Sequence, residues 1–234
     1  MKRLLIVLIL STTTVSCGVR YSASLPTLNS SAPLYREHPQ LSEVQIDSLY
    51  TIFSKSVTFY DEFLEQSLIA LSYYPDLVGV KIEFKPSNEK TTMAARPKPR
   101  TLFSKRRRRY LILINSGESD FDGVKLHDTP FNAQIGVIGH ELAHIADYER
   151  RNMFSVLGVL FRYADRGRKS LFENEIDWAT IERGLGWQLY DWATFSLNNS
   201  YSTDEFKEFK RKHYLSPEQI KELINFYSKY SDSL

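Results

Sequence analysis

The chain has 234 residues, 42% of them hydrophobic and 25% charged, with a net charge of +2. This composition suits one globular domain with a proper core and argues against disorder, while a single cysteine excludes an internal disulfide framework. Removing Lys2 and Arg3 leaves the charges balanced, so no global field selects nucleic acid as a partner.

Lys2 and Arg3 precede an unbroken apolar run, Leu4 to Leu10, and a small polar exit, Ser11 to Ser16. The run is too short to span a bilayer as a stable helix, so residues 1–16 read as a signal peptide. Cys17 follows Thr14-Val15-Ser16 in an arrangement that resembles a bacterial lipobox, although Thr14 stands where that motif usually has an apolar residue. The resemblance implies lipidation of Cys17 and an exported chain anchored to a membrane of the cell envelope. Ordinary cleavage to a soluble periplasmic or secreted protein is the alternative. Residues 17–40, rich in Ser, Pro, Leu and Asn, read as a tether, and residues 41–234 as the folded domain.

Within the domain, apolar residues recur at helical spacing from Ser42 to about Tyr73, which predicts one long helix or two with a break. Strands are expected at Val78–Phe84, from its alternation, and more weakly near Thr91–Ala95. Tyr110–Asn115 is continuously apolar and is expected to be buried on both faces. Asp128-Thr129-Pro130 predicts a helix start, with a capping side chain and then Pro at the first helical position, and that helix should run to about Arg151. An apolar helical stretch covers Met153–Tyr163, and further helices are expected at about 170–183, 187–197, 203–212 and 217–230. The fold class is α+β: a small mixed sheet followed by a mainly helical half.

The chemistry lies in His140-Glu141-Leu142-Ala143-His144. Residues four apart on a helix stack one turn above each other, so both imidazoles can reach a common metal ion. Glu141 lies beside that ion rather than on it, placed to accept a proton from water activated there. Two imidazoles and one further ligand with an open position point to Zn2+.

On these residues the sequence resembles the zincin metallopeptidases. The branch with a third histidine would need it a few positions past His144, and Ile145–Arg151 has none. The gluzincin branch instead takes its third ligand from a later Glu-x-x-x-Asp, and Glu173-Asn-Glu-Ile-Asp177 follows at an interval that branch tolerates. The resemblance implies that Glu173 ligates zinc and Asp177 hydrogen-bonds a ligating histidine. It also implies a zinc-dependent hydrolase acting on peptides or proteins, monomeric, in contact with the membrane through its lipidated N-terminus. A zincin-like envelope lipoprotein without turnover, acting as a scaffold, is the alternative.

Several residues carry competing readings. Ser170-Leu-Phe-Glu173 also reads as a capping box, which would take Glu173 away from a metal, with Glu175 as the fallback ligand on the opposite helix face. Asp147 is too far along the helix from His140 to share its ion and reads as a surface charge or a support. Tyr148, Tyr163, Tyr190 and His213 are candidates for stabilising an oxyanion, and His127 reads as a loop residue. Arg96–Arg109, with eight basic residues in fourteen, reads as a solvated loop or as a patch for anionic headgroups or envelope polymers. Met153–Phe161 reads as core, or as a cleft lip or bilayer contact.

Overall fold

The computed structural model describes residues 34–230 apart from residues 103, 105–106, 117–120, 122, 153, 157, 159–165, 200–201 and 228–229. The signal-peptide segment, Cys17 and Tyr163 lie outside the described residues, as does most of Met153–Phe161, of which Val156 is buried and Phe154 exposed. No helix among the described residues is long and apolar enough to cross a membrane.

The fold is α+β, with a four-stranded mixed sheet ahead of a helical half. Helix α1 (Glu43–Phe53) starts at a reciprocal cap in which Ser42 and Gln45 satisfy each other's backbone N–H. It ends at Ser54, and the expected helical continuation is instead a two-residue strand, β1 (Val57–Thr58), which runs parallel to residues Ile82 and Glu83 of the next strand. Helix α2 (Leu64–Ser72) follows, and β2 (Lys81–Ser87) starts three residues later than its alternation suggested, because Pro75–Leu77 forms a helical turn and Gly79 takes a positive φ. Strands β3 (Met93–Pro97) and β4 (Arg109–Asn115) complete the order β1-β2-β4-β3, with β2 parallel and β3 antiparallel to β4.

One face of the sheet carries Val57, Ile82, Phe84, Met93, Tyr110, Ile112 and Ile114, all buried, and packs toward the helices. Each such side chain contributes about 1.5–3 kcal/mol by leaving water. The apolar β4 is flanked by strands on both sides, as its composition predicts, so it offers no edge to a substrate; the open edge nearest the helical half belongs to β3.

Helix α3 (Phe131–Arg150) carries the paired histidines. The side-chain cap expected from Asp128-Thr129-Pro130 is not made: residues 126–128 form a short helical turn, Thr129 Oγ1 donates to the Lys125 carbonyl, and Pro130 occupies the cap position instead of the first helical one. The helical half then comprises α4 (Arg166–Thr180), α5 (Gly186–Thr194), α6 (Asp204–His213) and α7 (Pro217–Phe226). Between α4 and α5, Gly184 adopts φ 113°, a left-handed conformation that suits glycine, and it turns the chain as the sequence anticipated. Helices α3 and α5 touch at backbone distance: a Cβ placed on Gly136 would lie 2.1 Å from the Gln188 carbonyl oxygen.

Residues 34–40, within the segment expected to be tether, lie against the domain. Arg36 pairs with Asp191, the His38 N–H donates to Asn132, and Leu34 packs beside Gly184.

Candidate metal centre

Helix α3 holds His140 and His144 one turn apart on a buried face, and α4 brings Glu173 against them. His140 Nε2 and His144 Nε2 are 3.2 Å apart, and each lies 3.3 Å from Glu173 Oε2. A tetrahedral ion with ligands at about 2.0–2.1 Å has ligand–ligand edges of about 3.3 Å, so three corners of such a polyhedron are already in place. Glu173 Oε2 is buried without a hydrogen-bond partner, an arrangement that costs free energy unless a cation completes it. These three residues can hold a metal ion.

The carboxylate that joins the two imidazoles is Glu173, whereas Glu175 lies exposed on the other face of α4. Glu173 does not cap a helix. Helix α4 begins upstream at Arg166, which places Glu173 inside it, and Ser170 Oγ donates to the Lys212 carbonyl.

Asp177, one turn beyond Glu173, accepts from His140 Nδ1 at 2.8 Å. That bond leaves the proton of His140 on Nδ1 and the lone pair of Nε2 free for an ion. The other carboxylate oxygen of Asp177 accepts from the Leu215 N–H at 3.0 Å, fixing the chain beside Tyr214. With no ion bound, burial pushes the His140 imidazole down, but Asp177 and Glu173 outweigh it and raise it to about 10. Burial pushes the Glu173 carboxyl up, but His140 and His144 hold it well below the usual carboxylate range.

Glu141 is buried beside the triad, and its Oε2 accepts from the Ala95 N–H of β3 at 2.6 Å. Thr92 and Lys98 bond their backbone groups to β4, so by alternation Met93, Ala95 and Pro97 turn theirs away from it. Ala95 thus faces the site with its backbone, and Pro97, which has no N–H, limits the edge. The cleft in front of the triad has a volume of about 770 Å³. Its walls are β3 on one side and Phe206, Phe209 and Tyr214 on the other, with Phe121 meeting Phe206 edge-on at 5.9 Å.

Sequence reasoning missed Tyr214. Its ring centroid lies 5.7 Å from that of His140, and burial, with Glu173, Glu141 and Asp177 nearby, holds the phenol protonated by pushing it well above its ordinary value. Beneath it Lys210 sits 3.9 Å from the Tyr214 ring centre and 4.9 Å from that of Trp192, a cation–π arrangement. Burial lowers that ammonium to about 8. Nothing local marked Tyr214, because α6 and the turn before α7 bring it to the site through tertiary packing alone. Its neighbour His213, which the sequence did single out, packs on Phe209 and does not line the cleft.

Of the other candidates, Tyr148 lines the cleft and stacks beside His144. Tyr190 lies against Trp187 under Arg36, away from the cleft. Asp147 pairs with Arg151 at 2.5 Å, as a surface charge, and His127 is half exposed and paired with Asp128.

Compared with known proteins, the chain matches no family model, no curated protein and no solved structure.

Proposed function

We propose that the chain is a zinc-dependent peptidase of the gluzincin type. The observation that carries this reading is the triangle of His140 Nε2, His144 Nε2 and Glu173 Oε2, with a second carboxylate, Glu141, beside it but outside the ligand set. Two imidazoles and a carboxylate with an open position suit zinc. When bound, zinc polarises a carbonyl oxygen and acidifies the water it holds.

The protein's own groups supply the rest. Glu141, steadied through Oε2 by the Ala95 N–H, uses its remaining oxygen to take a proton from the attacking water and return it to the leaving amine. The Tyr214 hydroxyl donates toward the carbonyl oxygen as negative charge grows there. The outward carbonyl of Ala95 pairs with an extended peptide in the cleft. Asp177 keeps His140 in the ligating tautomer. The apolar run Leu4–Leu10 and Cys17 support export and lipid anchoring of this enzyme.

Metal analysis of the purified protein should give about one zinc per chain, and Glu141→Gln should keep that zinc while losing hydrolysis of a peptide library. A fully active Glu141→Gln protein would sink the mechanism. One contact favours a second reading, a zinc-holding scaffold without turnover: Glu141 already satisfies a backbone donor, as a structural residue would. Zinc binding with no cleavage of any peptide by the wild type would select it.

A further inference from the structure

The second basic feature of the sequence, Arg96–Arg109, is not a featureless solvated loop. Arg108 turns inward and is buried, and Arg96 pairs with Glu89 at 2.5 Å. Two further cations of the stretch, Lys98 and Arg109, fall with Lys81 into a row that the strand register defines. Lys81 of β2 is the partner of Arg109 of β4, and Lys98, just past β3, donates its N–H to the Arg109 carbonyl on the other side. On the far flank the Ser56 carbonyl accepts from the Ile82 N–H, which brings Ser56 beside Lys81 at the start of β1.

Residues in register on neighbouring strands point to one face. The next residues along, Val57, Ile82 and Tyr110, are buried in the core, so Ser56, Lys81, Arg109 and Lys98 share the opposite, outer face. There they line, with Lys55, a hollow of about 250 Å³. Its one carboxylate, Glu83, is engaged by Lys98 at 2.5 Å. Lys55, Lys81 and Arg109 have no ion pair among the described residues. Like charges set directly across a strand pair repel, so the fold carries an unfavourable juxtaposition that a bound anion would relieve. Ser56 lines the same hollow, and its hydroxyl oxygen is buried without a hydrogen-bond partner.

We propose that this hollow on the outer face of the sheet binds a phosphate-type oxyanion, held by Lys55, Lys81, Lys98 and Arg109. A lysine ammonium and an arginine fork are suited to phosphate oxygens. The group can come from a phospholipid headgroup or from free phosphate, and the site stands whether or not the chain is a peptidase.

The test uses the full chain, the double variant K81Q/R109Q, and K85Q as a control on the same face outside the hollow. Inorganic phosphate is titrated while the amide resonances of Ser56, Ile82 and Tyr110, which line the hollow and are present in every variant, are followed by NMR at low and at high chloride. Flotation with phosphatidylglycerol and with phosphatidylcholine vesicles forms the second arm. Saturable shifts at Ser56, Ile82 and Tyr110, with an affinity weakened at least about tenfold in K81Q/R109Q and unchanged in K85Q, support the site with free phosphate as its source. Preference for phosphatidylglycerol that falls by the same factor in the double variant supports it with a headgroup as the source. Should K81Q/R109Q melt early, K55Q/R109Q replaces it. No shifts in phosphate, together with vesicle binding equal in wild type and variant, would overturn the proposal.

Discussion

Arg108 and Tyr148 are joined by a hydrogen bond of 2.8 Å, in which the guanidinium Nη1 donates to the tyrosine carbonyl at the end of α3. The same nitrogen donates to the Arg151 carbonyl at 2.9 Å. A cation drawn from the most basic stretch of the sequence thus caps the C-terminus of the helix that carries the paired histidines, where carbonyls lack the intrahelical partner of a full turn and the helix dipole favours positive charge.

Replacing Arg108 by Met should therefore destabilise the fold by about 2–3 kcal/mol, since buried carbonyls lose a charged donor. In thermal melts followed by circular dichroism this is a fall of about 5–10 °C. Lys at this position keeps the charge but not the fork, and should recover part of the loss. A melt unchanged in Arg108→Met would show that the cap contributes nothing.

The proposed ligand set separates two glutamates that local sequence left in competition. Glu175→Gln should leave metal affinity unchanged, because that side chain is exposed on the far face of α4. Asp177→Asn should weaken affinity about 10–100-fold by freeing the His140 ring. Glu173→Gln should weaken it further still, by removing a charged ligand. Competition against a zinc chelator reads all three, and the order Glu175, Asp177, Glu173 is the result expected.

Tyr214→Phe removes only a hydroxyl from the cleft wall. If that hydroxyl meets the developing oxyanion, kcat on a cleavable peptide should fall about 10²–10³-fold with KM almost unchanged and zinc content intact. A rise in KM alone would make Tyr214 a binding residue instead.

The Asp76–Arg183 fork, with bonds of 2.6 and 2.7 Å, ties the turn before β2 to the break between α4 and α5. Burial pushes the Asp76 carboxyl up, but Arg183 outweighs it and leaves the group below its ordinary value in the folded chain. A depressed folded value means stability that is present above about pH 4 and lost as the pH falls through that value. The carboxylate is 45% exposed, so its contribution is modest, about 0.5–1 kcal/mol. Urea unfolding of wild type and Asp76→Asn should differ by that amount at pH 7 and converge near pH 2.

The parts of the fold legible in the sequence are those fixed by local pattern. The run of β4, the helices after Pro130 and the break at Gly184 follow from periodicity and backbone permissiveness. Strand β1 was not legible, because Val57 and Thr58 become a strand only by pairing with Ile82 and Glu83, while their own spacing continues a helical stripe. The side-chain cap expected from Asp128-Thr129-Pro130 failed because Thr129 and Lys125 close a local turn first. At the site, His140, Glu141 and His144 declare themselves by spacing. Glu173 carried two local readings, capping and ligation, and only the length of α4 upstream of it separates them. Tyr214 and the Ala95 backbone were invisible, since packing between distant segments brings them in. Arg108 was hidden for the opposite reason: in a run of arginines, sequence gives no sign of which one turns inward.

Gly136 lies one helical turn before His140, on the same side of α3, and the bare backbone there is what α5 rests upon. A methyl group at that point would act as a wedge driven between the two helices, tilting away the hairpin that delivers both carboxylates to the histidines. The tolerances of the His140–His144–Glu173 triad are thus machined by a residue with no side chain, one that stands outside the triad itself.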